Sequence, residues 1–398
     1  MQKVSKRIDN LSESQTIAMA QRSRELIAEG KDIISLSLGE PDFETPDFIK
    51  DAAKQAIDDN FTKYTPVPGY QELREAISKK FKRDNQLTYS ANQIVTSTGA
   101  KQSIANVVLS LVNPGDEVIL PSPYWVSYLE IVKMAEGVPV FVETSIENDF
   151  KMTPDQLRSA LSEKSKLMIY SSPCNPSGSV YSKEELEGLA KVIVEQENFY
   201  VISDEIYEHI NFVGKHESLA QFPEVYEQVI TINGVSKGFS MTGWRLGYMG
   251  APEWIAKACT KMQGQFTSAT CSITQRAAIA AMEADPSVTH EMNDAFLKRR
   301  DLVMGLLRKI EGFQLNVPEG AFYVFPNISE LFGKSTPQGD QINTATDLCM
   351  YYLNHAQVAL VTGEAFGSPN CIRISCATSE SVLEEAIKRI GEATEKLS

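Results

Sequence analysis

Two kinds of hydrophobic pattern alternate along most of the chain. Short and nearly continuous apolar runs predict strands that are buried on both faces; examples are DEVILP (116–121), KLMIYSS (166–172) and QVITING (228–234). Between them lie stretches with apolar residues at helical spacing, such as SKEELEGLAKVIVEQ (182–196). This alternation is typical of an α/β fold in which helices cover a mostly parallel sheet.

The same patterns predict the other elements of the first three quarters of the chain. Further strands are IISLSL (33–38), QIVTST (93–98), VPVFVE (138–143), FYVISDEIY (199–207) and RLGYMGA (245–251). Further helices are PDFIKDAAKQAI (46–57) with Thr45 as its N-cap, YQELREAISKKF (70–81) and KQSIANVVLSLV (101–112).

The pattern changes after about residue 285. A long charged helical stretch, HEMNDAFLKRRDLVMGLLRKI (290–310), precedes shorter predicted strands, which are AFYVF (321–325), VALVT (358–362) and CIRISC (371–376). GKSTPQGDQ (333–341) predicts an exposed loop, and a final helix begins near Ser379. We therefore predict a large α/β domain at 47–290 and a smaller α/β domain that combines 1–46 with 291–398.

Composition narrows the possible function classes. The chain has 38 Lys and Arg against 52 Asp and Glu, and its net charge of −14 argues against nucleic acid as a partner. The N-terminal MQKVSKRIDNLSESQ lacks the apolar segment of a signal peptide, and no apolar run approaches the ~18 residues of a membrane span. The six cysteines form no C-x-x-C pair and no cluster with zinc spacing. We expect a cytoplasmic protein with reduced thiols, without a metal site and without membrane contact.

Polar residues stand where several predicted strands end, and ligands bind at that edge of open α/β sheets. They are Gly99-Ala100-Lys101, Asn175, Asp204 with Tyr207, and Lys237 with Arg245. This set resembles neither a protease triad nor a metal site. It meets the needs of a pyridoxal cofactor, which are an amine for a Schiff base, an acidic partner for the pyridine nitrogen and a site for the phosphate.

Each need has a candidate residue. Lys237 supplies the amine in a small-residue loop after a strand, and Arg245 follows eight residues later with a fork of donors for phosphate. Asp204 ends the run YVISD and can keep the pyridine nitrogen protonated. Tyr207 and Asn175 can both hydrogen-bond the 3-oxygen of the ring.

Three further features fit the same ligand. Gly99 and Ala100 end a strand and open a helix, where free N–H groups and the helix dipole bind anions. Trp125 can stack on the pyridine face, and Arg373 is a cation in an apolar strand that needs a partner, such as a substrate carboxylate. The structural alternatives are a strand-end cap for Asp204, turn chemistry for Asn175, a core position for Trp125 and an internal salt bridge for Arg373.

Four motifs carry a family resemblance over nearly the whole chain. SSPCNPSG (171–178), ISDEIY (202–207), NGVSKGFSMTGWRLGY (233–248) and CIRISCAT (371–378), in this order, resemble the class I aminotransferases of pyridoxal-phosphate fold type I. TGAKQ (98–102) and SPYWVSY (122–128) are most similar to the bacterial aspartate aminotransferase branch. The resemblance implies a large domain with a mostly parallel seven-stranded sheet, a smaller α/β domain and pyridoxal 5'-phosphate as the cofactor.

The resemblance also assigns roles to matching positions. It implies that Lys237 carries the cofactor and moves the substrate proton, that Asp204, Tyr207 and Asn175 hold the ring, and that Trp125 stacks on it. It implies a phosphate site of Arg245, Ser236 and the Gly99–Ala100 backbone, and an α-carboxylate site of Arg373, Gly39 and Asn175. Tyr64 would reach the phosphate of a neighbouring subunit, which implies a homodimer with shared active sites.

Substrate class rests on Lys101 in this resemblance. Its ammonium would pair with the side-chain carboxylate of aspartate or glutamate, with help from Ser14 and Thr16 on an N-terminal segment over the site. Two departures from the family pattern stand out. Gly234 replaces the usual Ser or Thr three residues before the lysine, so that a phosphate hydrogen bond is missing or comes from Ser236. SESQT (12–16) lacks a basic residue ahead of Ser14, which disfavours prephenate as a substrate.

These observations predict an aspartate aminotransferase. In ping-pong order, L-aspartate would give up its amino group and leave as oxaloacetate, and 2-oxoglutarate would take the group and leave as L-glutamate. The alternatives on the same scaffold are alanine, aromatic or prephenate transamination and β-elimination. A DNA-binding regulator would need an added module and a basic surface, and a non-catalytic binding protein would not need the complete set of polar residues.

Overall fold

The computed structural model describes residues 4–13 and 15–398. Its strands are, in chain order, β1 (Ile34–Ser35), β2 (Ile94–Ser97), β3 (Glu117–Ser122), β4 (Val138–Glu143), β5 (Ser165–Ser171), β6 (Tyr200–Asp204), β7 (Val229–Gly234), β8 (Gly247–Gly250), β9 (Tyr323–Val324), β10 (Val358–Ala359), β11 (Val361–Thr362) and β12 (Ile372–Ser375). Its α-helices are α1 (Lys6–Asp9), α2 (Gln15–Ala28), α3 (Asp47–Asp58), α4 (Gln71–Lys80), α5 (Ala100–Leu111), α6 (Ser127–Met134), α7 (Pro154–Ala160), α8 (Lys183–Ile193), α9 (Glu253–Phe266), α10 (Ser272–Glu283), α11 (His290–Leu307), α12 (Ala345–Tyr351) and α13 (Glu380–Thr394).

Seven strands form the central sheet, in the order β2-β8-β7-β6-β5-β3-β4. Neighbouring strands are parallel except at β8, which runs antiparallel to both β2 and β7. The α/β fold and the mostly parallel seven-stranded sheet are thereby confirmed. Each predicted apolar run from QIVTST to RLGYMGA contains one of these strands.

Helices cover both faces of this sheet, and the side chains of β5 show why its sequence is apolar throughout. Leu167 and Ile169 pack on one side with residues of α5, α6 and α9. Met168 and Tyr170 point to the opposite side and pack with residues of α3, α4, α8 and α10. Because successive side chains of a strand alternate between faces, a sheet covered twice needs apolar residues at every position.

The remaining strands are short. The antiparallel sheet β11-β12-β9 and the parallel pair β1-β10 pack against α11, α12 and α13. The predicted strand VALVT divides between these two sheets at Leu360, and IISLSL contributes only Ile34–Ser35. The central sheet lies within residues 47–290, but the domain bounds themselves stay a prediction.

Most predicted helix starts agree with the structure, and one cap is wrong. Ser182 and Ser379 each cap a helix through the side-chain oxygen, as their sequences suggest. Thr45 does not cap α3, since Pro46 occupies the cap position and the Thr45 hydroxyl donates to the Ser240 carbonyl at 2.8 Å. Thr45 thus fastens the start of α3 to the loop that follows Lys237.

Two absences can be stated for the part of the chain that the structure describes. None of its helices combines the length and the apolar composition needed to cross a membrane. All six cysteines are free, and only Cys271 is exposed.

The predicted loop at 333–341 is exposed over most of its length.

Candidate active site

One cavity of about 310 Å³ opens where the parallel strands of the central sheet end. Its volume falls at the lower end of small-molecule sites, which span roughly 300–1,000 Å³. Most of the predicted site residues line it. They are Thr16, Gly39, Ala100, Lys101, Trp125, Asn175, Asp204, Tyr207, Ser236, Lys237, Arg245 and Arg373.

Lys237 lies in the connection from β7 to β8. Its Nζ donates to the carbonyl oxygen of Gly39 and lies 5.7 Å from the ring centroid of Tyr207. Burial lowers the pKa of Lys237 from 10.5 to about 8, and the nearby Arg373 adds to this effect. An amine with that pKa is partly neutral at physiological pH and can act as a nucleophile or a base.

Asp204 is the last residue of β6 and is buried. Its Oδ2 accepts a hydrogen bond from the Tyr128 hydroxyl at 2.6 Å, and its Oδ1 accepts one from the Ile206 amide at 3.3 Å. Burial raises the pKa of Asp204 to about 6 in spite of these bonds. The residue therefore caps the strand end locally and also offers a carboxyl group to the cavity.

Arg373, in β12, is 2% exposed and has only neutral partners. It donates to Asn175 Oδ1 at 2.9 Å and to the Ser37 carbonyl at 2.6 Å, while its Nε has no partner. The guanidinium also lies 4.6 Å from the ring centroid of Tyr323. No Asp or Glu of the described residues forms an ion pair with it, so the internal salt bridge is not found.

The end of the cavity at the start of α5 has the features of an anion site. Gly99 is the N-cap of α5 with a φ of 84°, and the first N–H groups of a helix lack intrahelical partners. Arg245 adopts a left-handed φ of 56° and donates to the Thr242 carbonyl at 2.8 Å. A Cβ on Gly99 would meet the Arg245 guanidinium, and the positive φ of this residue itself favours glycine.

Lys101 and Trp125 form a contact beside this end. The Lys101 Nζ lies 4.9 Å from the Trp125 ring centroid, a distance at which a cation is attracted to the ring. Burial and the nearby Arg245 lower the pKa of Lys101. Trp125 is partly buried and packs edge-on against Tyr128. The Lys101 ammonium is thus held over the cavity without a carboxylate partner among the described residues.

The predicted residues of the N-terminal segment and of the subunit contact have different outcomes. Thr16 lines the cavity, and its buried hydroxyl has no hydrogen-bond partner. Ser14 lies outside the described residues. Tyr64 is fully exposed and does not line the cavity of its own chain. The structure of one chain therefore does not bring Tyr64 to the site.

Comparison with known proteins agrees with this arrangement. Residues 31–390 match the family described as aminotransferase class I and II. The chain belongs to the class I and II aminotransferases. A bifunctional aspartate aminotransferase and glutamate/aspartate-prephenate aminotransferase of Petunia hybrida is 45% identical over 394 residues, or 98% of this chain and 82% of the relative.

Solved structures of other aminotransferases have the same fold. The aspartate aminotransferase of Rhizobium meliloti superposes with a TM-score of 0.97 at 41% identity, and the match covers 100% of both chains. The Thermus thermophilus aspartate aminotransferase with maleate superposes with a TM-score of 0.92 at 38% identity, covering 99% of this chain and 100% of the other.

Two tyrosines of this aminotransferase were missed by sequence reasoning although both touch predicted residues. Tyr128 bonds to Asp204, and the Tyr323 hydroxyl lies 2.8 Å from the hydroxyl of Tyr207. Tyr128 stands in the same SPYWVSY stretch as Trp125, three residues later and in the first turn of α6, so this spacing was the available signal. Tyr323 lies in the predicted strand AFYVF, whose apolar pattern gave no sign of a functional residue.

The departure at Gly234 has a steric reason in this aminotransferase. A Cβ at this position would lie 3.0 Å from both the Gly247 Cα and the Leu246 carbonyl oxygen. The β7–β8 pair therefore leaves little space for a side chain at residue 234. Ser236, which is buried and lines the cavity, is the hydroxyl that remains close to Lys237.

Pyridoxal phosphate fits this donor set. Two arginines line the cavity, Arg245 and Arg373, and neither has a carboxylate partner among the described residues. The partnerless Nε of buried Arg373 is a cost that a bound anion would offset. Between the two cations lie an amine of lowered pKa, Lys237, and a buried carboxyl group, Asp204.

Proposed function

We propose that this aminotransferase transfers the amino group of L-aspartate to 2-oxoglutarate with pyridoxal 5'-phosphate as its cofactor. The observation that carries the proposal is the single cavity that holds Lys237, Asp204 and the unpaired Arg373 together. Relatives at 42–45% identity are named as aspartate aminotransferases, which supports L-aspartate as the substrate.

Different residues of the cavity would bind different parts of the cofactor. The Gly99–Ala100 end of α5, Ser236 and Arg245 would bind its phosphate. Bound there, the cofactor supplies an aldehyde carbon that accepts an amino group and a ring that withdraws electrons. Trp125 would stack on that ring. Tyr207 would donate to its 3-oxygen, and Asn175 would bind on the same side of the site.

Asp204 would hold a proton at the pyridine nitrogen. Burial disfavours the ionised form of this carboxyl group, and a cationic N–H opposite it would stabilise that form. Tyr128 fixes the orientation of the carboxylate through the 2.6 Å hydrogen bond.

The substrate would be bound at both of its carboxylates. Arg373 would take the α-carboxylate in a fork-to-fork pair, with the Gly39 backbone and Asn175 at its side. Lys101 would take the side-chain carboxylate as a point charge, which tolerates other side chains more readily than a bidentate arginine. Thr16 brings a free hydroxyl to the same cavity. Ser14 stays part of this proposal from the sequence alone.

Lys237 would move the proton during the transfer. Its Nζ would take the proton from the substrate Cα and would hold it for return later in the transfer, while the cofactor would supply the carbon that receives the amino group. A pKa of about 8 leaves a substantial fraction of the amine neutral near pH 7.5, which this step requires.

A homodimer with shared sites is part of the proposal. The aromatic ring of Tyr64 is fully exposed, and an open groove beside the cavity is lined by Thr242, Arg245 and Thr270. We propose that Tyr64 of one subunit reaches the phosphate site of the other along this groove. Mixing a Lys237→Ala chain with a Tyr64→Phe chain would give hybrid dimers with one intact site, so activity would rise above that of either variant.

The first test is the absorption spectrum of the holoenzyme before and after addition of L-aspartate alone. We expect conversion of the aldehyde form of the cofactor to the amine form, and reversal by 2-oxoglutarate. Conversion by alanine or an aromatic amino acid but not by aspartate would contradict the aspartate proposal. A protein that binds no chromophore after incubation with pyridoxal phosphate would contradict the cofactor proposal as well.

Prephenate is a second candidate substrate, because several relatives carry it in their printed names. The sequence disfavours it through the missing basic residue ahead of Ser14. Adding prephenate to the amine form of the holoenzyme tests this directly. Return of the aldehyde spectrum at a rate close to that with 2-oxoglutarate would establish prephenate as a substrate.

A further inference from the structure

The segment after β6 presents two sets of side chains to two different places. Asp204 and Tyr207 line the cavity, whereas Glu205 and Glu208 point away from it into the protein interior. Backbone hydrogen bonds from Glu208 N to Glu205 O and from Ile210 N to Tyr207 O make two consecutive turns of this segment. Any shift of the buried glutamates would therefore be transmitted to Asp204 and Tyr207.

Glu208 connects these turns to the end of α4. Its Oε1 pairs with the ammonium of Lys80, which is 1% exposed, and its Oε2 accepts from the Asn85 side chain at 2.7 Å. Asn85 belongs to the π-helical turn Phe81–Asn85 that continues α4. Such π-helical turns place side chains out of the regular helical register and occur frequently at functional sites.

Glu205 connects the same turns to the loop that follows them. Its Oε1 accepts from the hydroxyls of Ser203 at 2.9 Å and Ser218 at 2.6 Å, and its Oε2 lies 2.9 Å from His216 Nε2. Burial opposes the charged form of His216, but Glu205 and Glu208 raise its pKa. All four carboxylate oxygens of the two glutamates are thus engaged.

These buried groups also reach the loop of Lys237. His209 Nε2 lies 3.2 Å from Glu208 Oε1, and the His209 ring packs edge-on against Phe239 with 5.4 Å between ring centroids. A Cβ on Gly238 would come within 2.5 Å of the His209 ring, so the ring lies directly against the residue after Lys237.

We infer that Lys80, Glu208, His216 and Glu205 form a buried positioning network that fixes Asp204 and Tyr207 and, through His209, the Lys237 loop. One carboxylate or ring atom from each of Glu205, Glu208 and His216 lies within 4.8 Å of the others, and the Lys80 ammonium pairs with Glu208. This ammonium offsets the charge of one of the two carboxylates. The expected change in catalysis rests on the proposed function, whereas the expected change in hydrogen–deuterium exchange rests on the geometry alone.

The test uses the holoenzyme and compares two variants of the network. Glu208→Gln leaves the Lys80 ammonium with only the more distant Asp84 carboxylate, at 3.8 Å, and the double variant Lys80→Met/Glu208→Gln removes both charges of the pair together. The double variant serves if the single one does not fold. The control is Glu185→Gln on α8, which removes a carboxylate that lies 2.8 Å from the Lys151 ammonium. Glutamine still suits this position, because it can take the place of glutamate in the capping box with Ser182.

Hydrogen–deuterium exchange and cofactor absorbance are the two readouts. In both network variants we expect amides of 204–210 and 236–240 to exchange about tenfold faster or more, because local opening requires less free energy. We expect the pH midpoint of the cofactor absorption band to shift. The kcat with aspartate should fall by roughly ten- to a hundredfold with little change in KM, since the carboxylate-binding residues lie outside the network.

Two results would overturn the inference. One is unchanged exchange in both segments and an unchanged pH midpoint in the double variant. The other is the same uniform increase of exchange in the double variant and in Glu185→Gln, which would reduce the network to ordinary stabilisation. Failure of the wild-type holoenzyme to react with any amino acid would contradict the proposed function instead, and the exchange data would still decide the positioning role.

Discussion

Two cations are buried to nearly the same extent, and their surroundings differ. Lys80 is 1% exposed and pairs with the carboxylate of Glu208, while Arg373 is 2% exposed and donates hydrogen bonds only to an amide oxygen and a backbone carbonyl. A buried charge is costly unless it is paired. A paired charge such as Lys80 can serve within the protein itself, whereas we propose that Arg373, which lacks a carboxylate partner, binds an anion.

Lys237 extends the comparison, because it is a partly buried amine whose lowered pKa favours loss of its proton. Lys237→Ala removes this amine, and we expect the rate of amino transfer to fall about 10⁴-fold or more, since the residue is both nucleophile and base. Single-turnover absorbance with L-aspartate measures it. A variant that retains a tenth of the rate would exclude Lys237 as the proton-transfer group.

The Lys80 side of the comparison is tested by protein stability. Lys80→Met leaves Glu208 as a buried charge without its main partner, and we expect the free energy of unfolding to fall by about 3–5 kcal/mol. Urea denaturation of the cofactor-free protein measures the loss. Lys80→Met/Glu208→Gln should recover most of it, and a loss below about 1 kcal/mol in the single variant would contradict the pairing argument.

The Arg373 side should show the opposite pattern. Arg373→Met removes a buried charge that has no carboxylate partner, so the cofactor-free protein should unfold at an equal or higher temperature. The kcat/KM for aspartate should fall by roughly 10²–10³, in line with the loss of a buried charge pair with the substrate. Arg373→Lys is the matched control, since it keeps the charge without the fork. A variant that loses stability but keeps its kcat/KM would reverse our assignment.

Asp204 sharpens the comparison from the acidic side. Its pKa is raised from 3.8 to about 6, so in the folded protein it binds a proton that the unfolded chain has already lost. Stability therefore declines as the pH rises from about 4 to 6, and the full penalty, about 3 kcal/mol at roughly 1.4 kcal/mol per pKa unit, applies above pH 6.

Asp204→Asn lacks this penalty. The cofactor-free variant should exceed the wild type in unfolding free energy at pH 8, and the difference should shrink as the pH is lowered to 5. Urea unfolding at both pH values checks this. A difference that does not change with pH would mean that Asp204 is ionised in the folded protein throughout.

Lys101 gives the smallest expected effect, because its ammonium is the least buried of these cations. Lys101→Ala should lower kcat/KM for aspartate by about tenfold, the worth of one hydrogen bond to a charged group. Turnover of alanine should change little, and the ratio of the two substrates is the measurement. Undiminished aspartate turnover would remove the basis for the acidic substrate preference.

Hydrophobic patterning predicted the central sheet well, because strands covered on both faces must be apolar throughout. It predicted the small sheets poorly. Two-residue strands such as Val358–Ala359 and Val361–Thr362 lie in one apolar run, and only the tertiary arrangement assigns them to different sheets. Thr45 read as a cap because local sequence cannot show that its hydroxyl bonds to Ser240, 195 positions away.

The sequence predicted the cavity residues that stand in a distinctive local motif, such as Lys237 and Asp204. The buried network was not, because Lys80 and Glu208 are 128 positions apart and each reads as an ordinary surface charge. The partner of Arg373 at Ser37 is a backbone carbonyl, which leaves no mark in the side-chain pattern.

The reversal of β8 has a consequence for how the site can move. Because β8 runs against β7, the connection between them starts and ends at the same edge of the sheet, and it contains both Lys237 and Arg245. The Lys237 amine and the Arg245 guanidinium, which we propose binds the phosphate, therefore lie on one loop, and the β7–β8 hydrogen bonds join the two ends of that loop. Arg373 belongs to another sheet. A displacement between the two sheets would therefore move Arg373 relative to this loop, and the hydrogen bond from Arg373 to Asn175 at 2.9 Å is a contact that such a displacement would strain.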